Sequence, residues 1–181
     1  GAAISRNNAI EAANGRWIAF LDSDDLWLPS KLDSQLNAIK KNKDAAIVFS
    51  YYEKIAEDGT RSGRVIKSPA SVTYDKLLCG NVIGCLTGMY DVDKVGKTYF
   101  VNEGHEDYIL WLSILKKGYT AVNTEDLQAL YRLRESSLSS DKGKAARWQW
   151  RIYRDVEKLN LFKSLFCFTC YAFKAIVKVL K

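Results

Sequence analysis

At 181 residues, with 48% apolar and 27% charged side chains, the chain has the make-up of an ordinary globular protein with room for one real core, which excludes fibrous and wholly disordered classes. Its net charge of +6 is unevenly placed: residues 142 to 181 carry ten Lys or Arg against two acids, a net +8, and residues 1 to 141 stand at −2. A mildly acidic body argues against a nucleic-acid-binding surface, whereas the basic end suits an anionic membrane surface.

An Ala-rich helix is expected over about 2 to 13, stopped by Asn14-Gly15. Trp17 to Leu21 is a continuous apolar run ending at Asp22, as for a strand covered on both faces. Pro29 then reads as an early helical residue, with Leu32, Leu36 and Ile39 on the apolar face of a helix over 29 to 42. Residues 45 to 52, "AAIVFSYY", form another buried strand, and Asp58-Gly59 turns a hairpin into "RVIK". A short helix over 74 to 79 and a strand over 85 to 90 follow. "EDYILWLSILKKG" makes a helix closed by Gly118, and "YTAVNT" and "LQALYRL" read as strands on either side of a turn. The polar, Ser-rich "RESSLSSDKGK" is expected to be mobile.

The chemistry concentrates between the first strand and the second helix. Asp22, Ser23, Asp24 and Asp25 have no Lys or Arg within five residues on either side, so a positive partner must come from elsewhere. Asp22 and Asp24 lie on one side of an extended chain, roughly 7 Å apart, a gap that a slight turn closes around one hard cation such as Mn2+ or Mg2+. The plainer reading is a solvated acidic loop in which Asp25 caps the next helix. Such strand-to-helix loops are where ligands bind in open α/β sheets. Four cysteines, Cys79, Cys85, Cys167 and Cys170, are too few and scattered for a disulfide framework and fit a reducing cytosol. The Cys167/Cys170 pair lacks a second Cys or His pair for zinc.

"GAAISRNNAIEAANGRWIAFLDSDDLWLPSKLDSQL" resembles the middle of the nucleotide-sugar-binding domain of family 2 glycosyltransferases. Sixteen positions agree at fixed spacing: Gly1, Arg6, Asn7, Ile10, Ala13, Gly15, Ile18, Phe20, Leu21, Asp22, Asp24, Asp25, Trp27, Pro29, Lys31 and Leu32. "GHEDYILWLSILKKG" at 104 to 118 and "YRLRESSLS" at 131 to 139 are similar to two later segments of that family. The family's domain opens with a strand and a base-binding loop ahead of the Arg-Asn segment, so the resemblance implies that these first strands precede Gly1 and that residues 1 to 140 form a truncated domain.

Taken alone, Glu106 and Asp107 at the start of a helix are explained by favourable interaction with its dipole. The resemblance implies more: Asp107 is the general base on an acceptor hydroxyl, with Glu106 beside it holding a hydroxyl or orienting the base. It likewise implies that Asp22 and Asp24 bind donor ribose and metal, Asp24 being the principal ligand, with Asp25 next to them. Arg6, Arg132 and Arg134 are candidates for the donor diphosphate because a guanidinium fork suits phosphate oxygens; surface ion pairing is the alternative for the last two. Ser136 and Ser139 could donate from the same loop, which in the family closes over the donor. His105 and Trp111 are candidates for acceptor contact, against a loop and a core role respectively; Trp27 reads as core.

In "LFKSLFCFTCYAFKAIVKVLK", 161 to 181, a 100° wheel sets Lys163, Cys167, Cys170, Lys174, Lys178 and Lys181 on one narrow stripe and apolar side chains around the rest. Lysines so placed argue for a helix lying in a membrane interface instead of crossing it; a packed helix or a homodimer contact competes. The preceding helix carries Trp148, Ile152, Val156 and Leu159 on one face.

The expected protein is thus an α/β domain of the GT-A type over 1 to 140, a mixed sheet flanked by helices, followed by a basic amphipathic helical tail over 141 to 181. Its expected activity is inverting transfer of a sugar from a nucleotide-diphosphate donor to a glycan or lipid-linked acceptor at the inner face of the cell membrane. The alternative is an inactive, membrane-associated binding or assembly module.

Overall fold

The computed structural model describes residues 1–133 and 142–179. Two long strands form its spine. β3 (Ala45–Ile55) and β7 (Thr120–Arg132) run parallel to each other, and each of their outer edges is shared by two short strands. On β3 these are β6 (Met89–Asp91) at Ile47 and Val48, and β4 (Arg61–Ile66) at Tyr52 to Ile55. On β7 they are β5 (Ser71–Val72) at Ala121 and Val122, and β2 (Leu26–Trp27) at Ala129 and Leu130. β1 (Trp17–Ala19) pairs with β6. β3 takes the centre because "AAIVFS" is apolar on both faces and wholly buried.

One face of the sheet is covered by α1 (Ala2–Ala12), α3 (Tyr74–Leu78), α5 (Glu106–Leu115) and the C-terminal helices; the other is covered by α2 (Lys31–Lys40). α5 is apolar all round because it is sandwiched: Tyr108 to Leu112 are buried without a break. The segment expected as a tail joins this core. It comprises α6 (Lys142–Arg151), a π-helical turn over Ile152–Val156 and α7 (Leu161–Val179), with Ile152, Tyr153 and Cys167 among the core residues. Buried Glu157 ties it down, accepting from Tyr74 Oη at 2.5 Å and Lys116 Nζ at 2.9 Å.

Most expected elements are found, with five corrections. α1 leaves through an extended Ala13, and Gly15 has no left-handed φ, so Asn14-Gly15 does not act as its stop. β1 covers only Trp17–Ala19; Phe20 is buried beyond it but Leu21 is exposed. α2 starts at Lys31 with Pro29 outside it, and it buries Lys31, Gln35 and Ile39 while Leu32 faces water. The polar pair goes inside because Gln35 Nε2 donates to the carbonyls of Val48 (3.2 Å) and Thr87 (2.7 Å), which side-chain apolarity cannot signal. The strand expected over 85 to 90 divides into a 3-10 turn, Cys85–Thr87, and β6. The two strands expected on either side of a turn are one bent strand, β7, kinked at Glu125 (φ 61) and in parallel register with β3 before and after the kink. The hairpin at Asp58-Gly59 forms as expected, with Gly59 at φ 90.

Candidate active site

Arg6, on α1, is the link from which the site is built. Its guanidinium donates through Nη2 to Asp22 Oδ1 at 2.5 Å and through Nη1 to Glu106 Oε1 at 2.8 Å. The acidic turn and the start of α5 therefore face each other across one arginine. Neighbouring Asn7 keeps α1 in place by exchanging two hydrogen bonds with the Phe100 backbone, at 2.7 and 2.9 Å. Arg6 is only 18% exposed, and its two acidic partners hold it firmly charged against the loss of water.

The acidic turn closes on itself through the Asp25 N–H to the Asp22 carbonyl, at 3.1 Å. Asp25 is buried and accepts the Arg132 N–H at 2.9 Å. Loss of water, with Asp24 and Asp22 alongside, pushes its carboxyl up to about 6 despite that bond. Arg132 Nε bonds the Asp24 carbonyl at 2.8 Å, and Nη1 bonds the carbonyls of Ala56 and Glu57 at 3.2 and 2.7 Å. The arginine thus clasps the turn to the β3–β4 hairpin.

Across the cavity, α5 begins at His105, held at φ 62 in the left-handed region. Its ring meets Trp148 of α6 edge-to-face, with centroids 5.3 Å apart at 84°. The same indole lies so close to Gly104 that a Cβ there would stand 2.1 Å from Trp148 Cδ2. Asp107 accepts from Asn81 Nδ2 at 3.1 Å, and loss of water raises its pKa, opposed by the Tyr108 backbone N–H and His105.

Between these banks lies a cavity of about 390 Å3, walled also by Tyr52, Tyr131, Gly84, Cys85 and Leu86. The two tyrosine rings pack edge-to-face at 6.1 Å. Burial, then the charges of Asp25, Asp24, Asp22 and Asp107, push the Tyr131 phenol up, so it stays a protonated donor. Burial and then Asp107 likewise keep Cys85 a neutral thiol.

Of the residues expected at the site, Arg6, Asp22, Asp25, His105, Glu106 and Asp107 line this cavity together. Asp24 and Arg132 are not among its lining residues: Asp24 sits in the acidic turn, and Arg132, at the end of β7, holds that turn through the Asp24 carbonyl. Trp111 does not reach the cavity: it is wholly buried in the core, packed against Phe20 at 6.1 Å and pressed so close to Gly88 that a Cβ there would stand 2.5 Å away, which corrects the expected acceptor contact. Arg134 and Ser136, with Ser139, lie outside the described residues. Tyr52, Tyr131, Asn81 and Trp148 were not expected at the site. The first two look like ordinary strand aromatics, and Trp148 sits in what reads as a tail. Among the described residues no cluster of three or more metal-ligating side chains occurs, so a cation here would rest on Asp22 and Asp24 and on oxygens of its ligand.

The model of glycosyl transferase family 2 matches residues 1–90. TuaG of Bacillus subtilis, named for teichuronic acid biosynthesis as a glycosyltransferase, is 44% identical over 98% of this chain and 71% of its own length. The chain belongs to glycosyltransferase family 2. Two further members come from Escherichia coli, both named as UDP-Glc:α-D-GlcNAc-diphosphoundecaprenol β-1,3-glucosyltransferases. WfgD is 41% identical over 86% of this chain and 60% of its own, and WfaP 34% over 98% and 69%. The fold of this family 2 glycosyltransferase is the GT-A fold. Its 95% overlap with half of the S. aureus TarS 1-349 structure gives a TM-score of 0.63 at 14% identity.

Proposed function

We propose that this glycosyltransferase moves a sugar from a nucleotide-diphosphate donor to a hydroxyl of a lipid-linked glycan acceptor by a single, inverting displacement. The observation that carries the reading is the Arg6 bridge, which brings the acidic turn and the Glu106–Asp107 pair onto one cavity. In the displacement the acceptor oxygen bonds the anomeric carbon while the bond from that carbon to the diphosphate breaks. The hydroxyl proton passes to Asp107, whose carboxylate loss of water makes more basic than an ordinary aspartate. Glu106, fixed by Arg6, orients this end of the cleft. Asp22 and Asp24 would hold Mn2+ or Mg2+ through hard carboxylate oxygens, and such an ion would neutralise the departing diphosphate. Arg6 adds permanent positive charge on the same side. The acceptor class is taken from WfgD and WfaP, whose names specify a diphosphoundecaprenol-linked sugar.

The same reading places the protein on the inner face of the cell membrane through α7. Phe162, Phe166, Phe173 and Ile176 stand out from the body on that helix, 85%, 65%, 67% and 59% exposed, with Lys163 and Lys174 on the same helix. No helix among the described residues is long and apolar enough to cross a membrane, and an exposed apolar stripe with lysines suits the interfacial plane.

Asp107→Asn is expected to abolish transfer while calorimetry still shows nucleotide-diphosphate binding in the presence of Mn2+. Retained turnover would remove the base assignment. The wild-type rate should rise with pH through the raised carboxyl pKa of Asp107, since only the ionised form accepts the proton.

A further inference from the structure

A second concavity, of about 440 Å3, lies away from the catalytic cavity between α3 and α7. That volume is ample for a small-molecule subsite. Its walls are mainly apolar, with Val82, Cys79, Cys170 and Phe173 among them, and two exposed lysines, Lys76 from α3 and Lys174 from α7, also line it. Apolar walls carrying two cations match a ligand that is a hydrocarbon at one end and a polyanion at the other. Phe173 belongs both to this groove and to the exposed stripe of α7, so the groove opens alongside the surface assigned above to the membrane.

The loop after α3 connects the groove with the chemistry. Cys79 and Val82 wall the groove, and Gly84 and Cys85 wall the catalytic cavity. Asn81, between them, donates to Asp107 at 3.1 Å. A molecule seated in the groove thus lies one short loop from the proposed base. We propose that this groove is a polyprenyl-diphosphate subsite: the first isoprene units lie on Val82 and Phe173, Lys76 and Lys174 pair with the diphosphate, and the attached sugar extends past Asn81 to Asp107. The inference rests on the lipid-linked acceptor reading and adds to it the place where the lipid end is held.

The test is calorimetric titration of the whole chain with farnesyl diphosphate, a short and soluble probe. Binding is expected, and farnesol, which lacks the anion, should bind at least tenfold more weakly. The exposed-lysine double variant Lys76→Gln/Lys174→Gln should weaken farnesyl diphosphate at least tenfold without lowering the melting temperature. Phe173→Ala should weaken farnesyl diphosphate severalfold and leave inorganic diphosphate unchanged. The proposal is overturned by no binding of farnesyl diphosphate, by equal binding by wild type and both variants, or by displacement of the probe by UDP, which would put it in the donor cavity. If the double variant loses phosphatidylglycerol vesicles yet keeps farnesyl diphosphate, the lysines serve lipid headgroups and the subsite is likewise refuted. UDP with Mn2+ is titrated in parallel. Its failure to bind wild type while farnesyl diphosphate still binds would strike the donor-site reading alone, because the groove and the cavity share no lining residue.

Discussion

Lys31 shows how a single residue can be placed against its ordinary preference. Its Nζ donates to Gln35 Oε1 at 2.6 Å and stands 4.3 Å from the centre of the Trp27 ring, with the whole side chain 1% exposed. Burial lowers its pKa to about 7, because one hydrogen bond and an aromatic face replace water only in part. The unfolded chain keeps this ammonium protonated up to its ordinary value near 10.5, whereas the folded chain releases it near 7. Between those limits the unfolded state binds more protons, so stability rises with pH, by about 1 kcal/mol per unit. Lys31→Met removes that titration. The melting temperature of wild type relative to the variant should therefore climb between pH 7 and pH 8.5; a constant gap would show that Lys31 keeps its usual pKa.

At the scale of elements, the N-terminal end of α5, which carries the proposed base, depends on α6. Gly104 is required by close approach, since any Cβ would collide with the body of the Trp148 indole and not with a movable side-chain tip. Gly104→Ala should cost about 1–3 kcal/mol in thermal stability and lower transfer at least tenfold by shifting His105 to Asp107. Trp148→Ala opens the space, so the double variant should regain stability relative to Gly104→Ala alone. Such coupling in a double-mutant cycle is what direct contact predicts; simple additivity would argue that the two residues do not touch in solution. The neighbouring helix α7 is divided in a similar way. Its Ser164, Cys167 and Phe168 side faces the body, with Phe168 edge-on to Trp150 at 5.6 Å, and Lys163 reaches Asp75 at 2.9 Å. The lysine-and-cysteine stripe expected on one polar face therefore turns its cysteines inward.

For the whole molecule, this docking presents the apolar stripe of α7 at the surface while the candidate active-site cavity stays within the same packed body. Replacing Phe162 and Phe166 with Ser should release the protein from phosphatidylglycerol vesicles in a sedimentation assay, with the melting temperature little changed because both rings are exposed. Undiminished sedimentation would remove the membrane role from α7.

What was legible beforehand was local: the apolar run of β3, the Asp58-Gly59 hairpin, the left-handed Gly118 after α5, and the spacing of acids in "DSDD" and "HED". Apolar periodicity, turn chemistry and charge are properties of neighbours along the chain, so they determined most element types and the two acidic banks without any coordinates. The tertiary structure alone decided that Arg6 spans those banks, that Trp148 closes over the His105 loop, that Trp111 is core, and that the two halves of β7 form one strand. Each of these depends on groups far apart in sequence meeting in space, 100 residues apart for Arg6 and Glu106. Distances of that kind are set by how the layers pack and by which buried polar groups find partners, and no local pattern of residues encodes them.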